Sequence, residues 1–338
     1  MSIDTFLPAA DTGQPDSQFL PGTSVQYAWD SVSLTSILAC PRRYKYQIVD
    51  GLVSRSPNFA IALVFGILLH KGLEFYELAK ADGADHDAAL HTMVSRVLAL
   101  PATATLPTDE DVEEMKEEAK AAADEDDGIT LRNSKVRTRY YLIRALVWYV
   151  EHYKDDPLQT LCLPSGKPAV EVSFRLPIEM PEFNHPLLLC GHIDRVVDYN
   201  GSLYVTDYKS TKSISRQFFA SYLLSHQLTG YTIAGSSLFE QPVRGAIVDG
   251  IALQVGGVKL GRAPSQRTPG QVGEYFQTLA LAQRLAHSFA ETGYYPMNTA
   301  SCYFCEFKEI CAQPPEYRDK YLNLHFERRR GWNPLENR

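Results

Sequence analysis

Two sets of residues in this 338-residue chain have the types and spacing to do chemistry. The first is four cysteines. Cys40 lies near the start, in Ala39-Cys40-Pro41-Arg42-Arg43-Tyr44, while Cys302, Cys305 and Cys311 lie near the end, spaced C-x2-C-x5-C. Thiolates clustered this tightly bind a soft metal or an iron–sulfur cluster. Three ligands at one end need a fourth from elsewhere, and Cys40 is the candidate. A shared centre would clasp the two ends of the chain together. Structural zinc is the rival occupant, but its four thiolates generally come as two CxxC pairs. One CxxC, one isolated cysteine and one distant cysteine favour iron–sulfur. Cys162 and Cys190 have no CxxC partner and read as ordinary thiols.

The second set flanks Asn200-Gly201, a strong hairpin signal between two apolar runs. If these are the two turn residues, Tyr199 pairs with Ser202 and Asp194 falls directly opposite Asp207. Their Cβ atoms are then expected about 4.5–5.5 Å apart on one face of the sheet. Lys209 shares that face with Asp207. Like charges so opposed destabilise a sheet, and a cation between them removes the penalty. A hard ion such as Mg²⁺, with oxygen ligands at about 2.1 Å, suits the geometry. Asp194, Asp207 and the Tyr208 carbonyl are the expected ligands. The metal would polarise a phosphate and acidify bound water. Lys209 would position that water or neutralise developing charge. The competing reading is a solvent-facing polar hairpin whose acids happen to align.

The elements needed to position these groups follow from pattern. Residues 1–27, rich in Pro, Asp, Ser, Gly and Gln, read as a flexible tail. Ser31 to Ile48 reads as short capped helices, and Phe65 to Ala79 as a buried helix. Residues 84–156 read as a helical insertion, with Tyr140 to Tyr153 packing inward. Strands are expected at Ala169–Leu176, Leu187–Tyr199, Leu203–Lys209 and Ala246–Val255. Helices are expected at about Phe218–Leu238 and over 270–292. Residues 326–338 read as a basic C-terminal tail.

The composition is that of a soluble globular protein, with 45% hydrophobic and 22% charged residues. No uncharged apolar run is long enough for a bilayer, and no secretory leader opens the chain, so no membrane and a cytoplasmic location are expected (nucleoid-associated, or host cytoplasm if viral). The net charge of −7 is misleading. Residues 108–127 hold eleven acids against two lysines, so the remainder carries about +2, with basic clusters at Arg42-Arg43, Arg132 to Arg139, Lys209 to Arg216 and Arg328 to Arg330. No GxxxxGK[ST] loop is present, so the chain carries no nucleotide-driven motor of that type.

Taken together and in order, the motifs resemble the RecB-like branch of the PD-(D/E)XK nuclease superfamily. Gly191-His192-Ile193-Asp194 and Asp207-Tyr208-Lys209 look like its two central motifs, Gln227-Leu228-Thr229-Gly230-Tyr231 like its Q-x3-Y helix, and Phe65-Gly66-x3-His70 like its N-terminal histidine motif. The cysteine layout is similar to that of iron–sulfur members such as AddB nuclease domains and CRISPR-associated RecB-like exonucleases. The resemblance implies an α/β fold: one restriction-endonuclease-like domain over 28–325, a mixed sheet of four or five strands flanked by helices, with a terminal iron–sulfur clasp. It implies a [4Fe-4S] cluster on Cys40, Cys302, Cys305 and Cys311. It also implies Mg²⁺ or Mn²⁺ on His70, Asp194, Asp207 and the Tyr208 carbonyl, and catalysis by Asp194, Asp207 and Lys209. Glu171, on the first strand, is expected as a ligand or base. Gln227 and Tyr231 would orient the site or contact DNA, and Lys212 would contact phosphate. The implied activity is a deoxyribonuclease, an exonuclease on single-stranded DNA ends in repair, recombination or DNA processing. A separate helicase or recombination partner is compatible with it. The alternative is a non-catalytic DNA-binding or assembly subunit of a helicase–nuclease complex.

Overall fold

A computed structural model describes residues 17–55, 61–108, 110–111, 137–303, 305–328 and 332–336. The pair Ala28–Trp29 (β1) leads into Ser31–Ala39 (α1), whose first turn is closed by a capping box in which Ser33 N–H donates to Asp30 Oδ1 at 2.9 Å. Pro41 then opens Pro41–Tyr44 (α2), continued by a π turn over Lys45–Val49, and Leu52–Ser54 forms β2. Three long helices follow: Ile61–Ala81 (α3), His86–Ala99 (α4) and Arg139–His152 (α5). Next come the strands Gln159–Thr160 (β3), Val170–Ile178 (β4), Leu187–Tyr199 (β5) and Ser202–Thr211 (β6). Arg216–Ala220 (α6) and His226–Phe239 (α7) connect to Val243–Gln254 (β7) and Gly257–Gln266 (β8). Pro269–Thr292 (α8), Lys308–Ala312 (α9), Pro315–His325 (α10) and Phe326–Arg328 (β9) complete the order.

Among the described residues the main sheet has seven strands. Five are long and carry the core, and β1 and β3 add two residues each. β4, β5 and β6 run antiparallel in sequence, β6 and β7 are parallel, and β8 returns antiparallel to β7. A parallel pair needs a crossover, and α6 with α7 supplies it. The mixed sheet has helices on both faces. On one face Trp29, Leu34, Phe174, Val205, Tyr231 and Leu279 join β4–β7 to α1, α7 and α8. On the other, Phe65, Leu69, Met93, Leu146, Tyr208 and Ile251 join it to α3, α4 and α5. The helices within 84–156 therefore form a wall of the molecule. Gly72 lets α3 and α5 approach, since a Cβ there would stand 2.6 Å from Leu146 Cδ1.

Several expectations are corrected. The segment Phe218–Leu238 is not one helix: α6 ends at Ala220, a 3₁₀ turn spans Ser221–Leu224, and Ser225 caps a new helix by accepting from Leu228 N–H. β8 was not expected, because its Gly, Lys, Arg and Pro mask an edge strand. Residues 17–27 are not a free tail. Gln26 is fully buried, Val25 lies in the core and Gln18 Nε2 donates to the Trp332 carbonyl at 2.6 Å. The expected C-terminal tail is likewise docked: β9 pairs antiparallel with β2, Trp332 Nε1 donates to Asp30 Oδ2 at 2.8 Å, and Leu335 is buried. Apolar side chains scattered among polar ones, Val25 and Leu335 among them, are enough to dock both ends. Residues 1–16 and nearly all of the acidic run lie outside the described residues.

Candidate active site

The hairpin forms in the expected register. Asn200 and Gly201 take φ of 52° and 75°, the left-handed values of a type I′ turn. Pairing runs from Tyr199↔Ser202 to Arg195↔Thr206. The next residues would be Asp194 and Asp207, and there the strands part. β6 continues beside β7, with Asp207↔Val248 and Tyr208↔Asp249, while β5 runs on toward β1, which it meets at Leu188 and Leu189. The parting leaves the Tyr208 N–H without its β5 carbonyl, and Asp194 Oδ2 accepts it at 2.9 Å. The carboxylate thus replaces a rung of the sheet, which places a buried anion where the two strands diverge.

His70, from α3, closes this opening on one side. Its Nε2 lies 2.8 Å from the Tyr208 carbonyl, which can only accept, so Nε2 carries a proton. Its Nδ1 faces Asp194 Oδ2 at 3.3 Å. Burial alone would lower the pKa of His70, but the Asp194 charge and hydrogen bond, with Asp207 behind, outweigh it and raise it to about 9. The reciprocal effect holds Asp194 below its ordinary value, His70 overcoming the opposing cost of burial. Glu171 stands in β4 between the pairs Val170↔Arg195 and Val172↔Ile193, alongside Asp194. Its φ is 48°, a left-handed conformation that a non-glycine residue in a strand pays for. Burial, then the Asp194 charge, push its pKa up to about 7. One ligand atom each from His70, Glu171 and Asp194 fall within 4.8 Å of one another.

Asp207 and Lys209 face the other side of the sheet, toward α7. Lys209 Nζ donates to Asp207 Oδ1 at 2.9 Å and to Gln227 Oε1 at 3.0 Å, and Gln227 Nε2 donates to Tyr231 Oη at 3.0 Å. Burial works against the Lys209 charge, but Asp207 and Asp194 prevail and raise its pKa, so it is a cation at neutral pH. Asp207 is only 1% exposed, and burial is the main cause of its raised pKa, with Lys209 opposing. Its Oδ2 is 2.8 Å from the same ammonium but makes no hydrogen bond of good geometry. Gln227 and Tyr231 therefore reach the site through Lys209. Gly191 permits the packing beneath them, because a Cβ there would meet Phe174 at 2.8 Å and Tyr231 at 3.0 Å.

Of the expected site residues, His70, Glu171, Asp194, Asp207, Tyr208, Lys209, Gln227 and Tyr231 converge. The Tyr208 carbonyl, expected to face a metal, is engaged by His70, and Asp207 is engaged by Lys209. Lys212 stands apart, exposed in the loop after β6. Sequence reasoning missed Glu77 and Arg195. Their buried ion pair, which also draws Arg195 to 3.8 Å from Asp156, ties α3 to β5 beside Asp194. Glu77 lies two turns along α3 from His70, so helical spacing was the available signal. A second buried network, Arg262 with Asp249, Asp156 at 2.8 Å and Tyr149 at 3.1 Å, secures β7 and β8 to α5; nothing in the sequence marked it.

Cys40 follows the C-terminal end of α1, and the other three clustered cysteines gather about it. Asn298 N–H lies 3.4 Å from Cys40 Sγ, Asn298 Nδ2 donates to the Ala39 carbonyl at 2.7 Å, and Arg42 N–H donates to the Pro296 carbonyl at 3.1 Å. None of the six cysteines is in a disulfide. Burial raises Cys305 and Cys311, Cys40 and Cys302 act on both in the same direction, and Arg43 and Arg42 oppose. Tyr46, Leu52, Phe307, Ile310 and Phe326 form a small core beneath.

Among the described residues no helix is long and apolar enough to cross a membrane. No curated protein matches significantly. The solved structure titled "Crystal structure of SSO0001" is similar at 15% identity over 85% of this chain and 86% of that one, with a TM-score of 0.34. A family model described as the PD-(D/E)XK nuclease superfamily matches residues 31–312, a span that holds the parted hairpin and all four clustered cysteines. On that match, over most of its length, this chain belongs to the PD-(D/E)XK nuclease superfamily.

Proposed function

We propose that the chain is a metal-dependent deoxyribonuclease that removes nucleotides from single-stranded DNA ends. The observation that carries this reading is the buried opening between β5 and β6, where His70, Glu171 and Asp194 converge and the Asp207–Lys209 pair behind them is close enough to act on their charges. A binding module needs no such set, and its cost in buried charge is large unless a cation compensates it. The residues fit Mg²⁺ or Mn²⁺. His70 Nδ1, Asp194 and Glu171 would hold the ion, with His70 oriented by the Tyr208 carbonyl, as a second partner orients a metal-binding histidine. Asp207 Oδ2, in ion-pair range of Lys209 without a well-aligned hydrogen bond, is a further buried oxygen that could turn to a cation. When bound, the ion supplies Lewis-acid polarisation of a phosphate and acidifies water.

The protein's own groups supply the rest. Lys209, held between Asp207 and Gln227, presents a fixed positive charge to the negative charge that grows on the phosphate. Glu171 would act as a ligand to the ion or, where water stands between the two, as the base that takes the proton from the attacking water. Lys212, exposed beyond β6, can meet the backbone of a longer strand. A helicase or recombination partner would supply such ends by separating duplex.

Cys40, Cys302, Cys305 and Cys311 would hold a [4Fe-4S] cluster of structural role. Arg43 Nε beside them is buried without a hydrogen-bond partner, and a cluster sulfur is an acceptor it could satisfy. The proposal is tested with end-labelled single-stranded DNA, Mn²⁺ or Mg²⁺, and anaerobically purified protein beside its Asp207→Ala variant. A product ladder from the parent protein alone supports it. Equal inactivity of two folded, iron-loaded proteins would favour a non-catalytic DNA-binding or assembly subunit.

A further inference from the structure

A cavity of about 550 Å³ opens directly beside the proposed metal site, and His70 and Glu171 form part of its wall. That volume is within the range of about 300–1,000 Å³ that small-molecule sites occupy. The floor is the outer face of α3, where Leu63, Gly66 and Ile67 follow one another along the helix; Pro101 and Ala102 face them. Leu63 is 63% exposed and Ile67 56% exposed, a large apolar surface to leave in water next to a charged site. Burying it on a ligand is favourable by the ordinary hydrophobic effect.

The chemistry of the wall selects the ligand. Among the described residues its charged side chains are Lys71, Glu74, His70 and Glu171, and Lys71 is already paired with Glu74 at 2.6 Å. Away from the metal site, Lys71 is neutralised by Glu74, and the rest of the described wall is apolar, so this part of the cavity holds no net positive charge for a second phosphate. An uncharged, flat and largely apolar group is accepted. Continuity with the metal site fixes its identity further: with the scissile phosphate at His70 and Glu171, the group reaching the α3 face is the neighbouring nucleoside. We infer that this cavity is a nucleobase subsite, which receives the base next to the scissile phosphate after it has left the stack. The inference rests on the nuclease reading and gives it a physical basis for single-strand preference, since a stacked and paired base cannot enter. Among the described residues the cavity presents no arginine or side-chain amide to a base edge, so no bidentate base readout of that kind is expected.

The test uses end-labelled single strands with one tetrahydrofuran abasic residue at a defined position, digested by the whole protein with Mn²⁺. Apolar contact of a base with Leu63 and Ile67 is expected to be worth about tenfold in affinity. The expected result is a pause of about tenfold at the phosphate beside the abasic residue. In a Leu63→Ser/Ile67→Ser double variant, every step slows by about that factor and the abasic pause disappears. Both side chains are exposed, so an unchanged melting temperature shows that the fold survives. A wild-type ladder that passes the abasic residue without a pause overturns the subsite and leaves the nuclease standing. A double variant that keeps the parent rate and pause does the same. A wild-type protein that yields no ladder on any strand overturns both.

Discussion

A cation that binds His70 Nδ1 and Glu171 must first displace protons, and this makes its affinity depend steeply on pH. The pKa of His70 is raised to about 9 and that of Glu171 to about 7. At pH 7 the loss of the His70 proton alone costs about 2.7 kcal/mol, at 1.36 kcal/mol for each unit. Between pH 7 and 9 the apparent affinity for Mn²⁺ should therefore rise about tenfold per unit. Below pH 7 Glu171 is protonated as well, and the slope should approach a hundredfold per unit. Above pH 9 it should level off. Calorimetric titration with Mn²⁺ at pH 6.5, 7.5 and 8.5, in buffers of differing ionisation enthalpy, measures both the affinity and the protons released. His70→Ala should flatten the slope between pH 7 and 9. The same shifts act on the metal-free fold. A histidine raised from 6.5 to about 9 contributes stability that is full below pH 6.5 and lost as pH rises through 9. A glutamate raised from 4.5 to about 7 contributes stability that is full below pH 4.5 and lost as pH rises through 7. Over the range in which these two groups titrate, the metal-free protein should thus lose stability with rising pH, and Mn²⁺ should restore it. An affinity independent of pH, with no proton release, would refute the assignment of these ligands.

Other perturbations have equally specific outcomes. Lys209→Gln should retain Mn²⁺ binding while cleavage of single-stranded DNA falls at least a hundredfold; normal turnover would remove Lys209 from the chemistry. Cys305→Ser should lose iron, colour and solubility on anaerobic purification, and a stable, fully active, iron-free variant would sink the clasp. Gly72→Val should cost about 1–3 kcal/mol in chemical denaturation, because its side chain enters the space of Leu146 where α3 meets α5. An unchanged denaturation midpoint would show that the two helices can move apart freely.

The hairpin was legible because Asn-Gly fixes both turn type and register, so the positions of Asp194 and Asp207 followed by counting. The parting of the strands at that pair was not legible. β6 stays beside β7 along its whole length while β5 continues with β4 and meets β1, long-range pairings with no local signature. For the same reason Tyr208 O looked free for a metal, whereas α3 brings His70 to it. The left-handed Glu171 could not be read either, since a glutamate in an alternating strand gives no hint of positive φ. The break between Ala220 and Ser225 was obscured by an apolar, aromatic run that suits a helix throughout, although Ser225 was available as a cap. Glu77 and Arg195 depend on tertiary approach, and only the seven-residue spacing from His70 marked one of them.

Under the proposed function, the opening between β5 and β6 binds the catalytic cation through His70 and Asp194. Electron paramagnetic resonance of the anaerobically purified protein titrated with Mn²⁺ tests it most directly. The account predicts bound Mn²⁺ with nitrogen coupling from one imidazole, the coupling lost in His70→Ala and the binding strongly weakened in Asp194→Asn. Mn²⁺ that stays in solution, or that binds both variants with the parent affinity and the same nitrogen coupling, would contradict it.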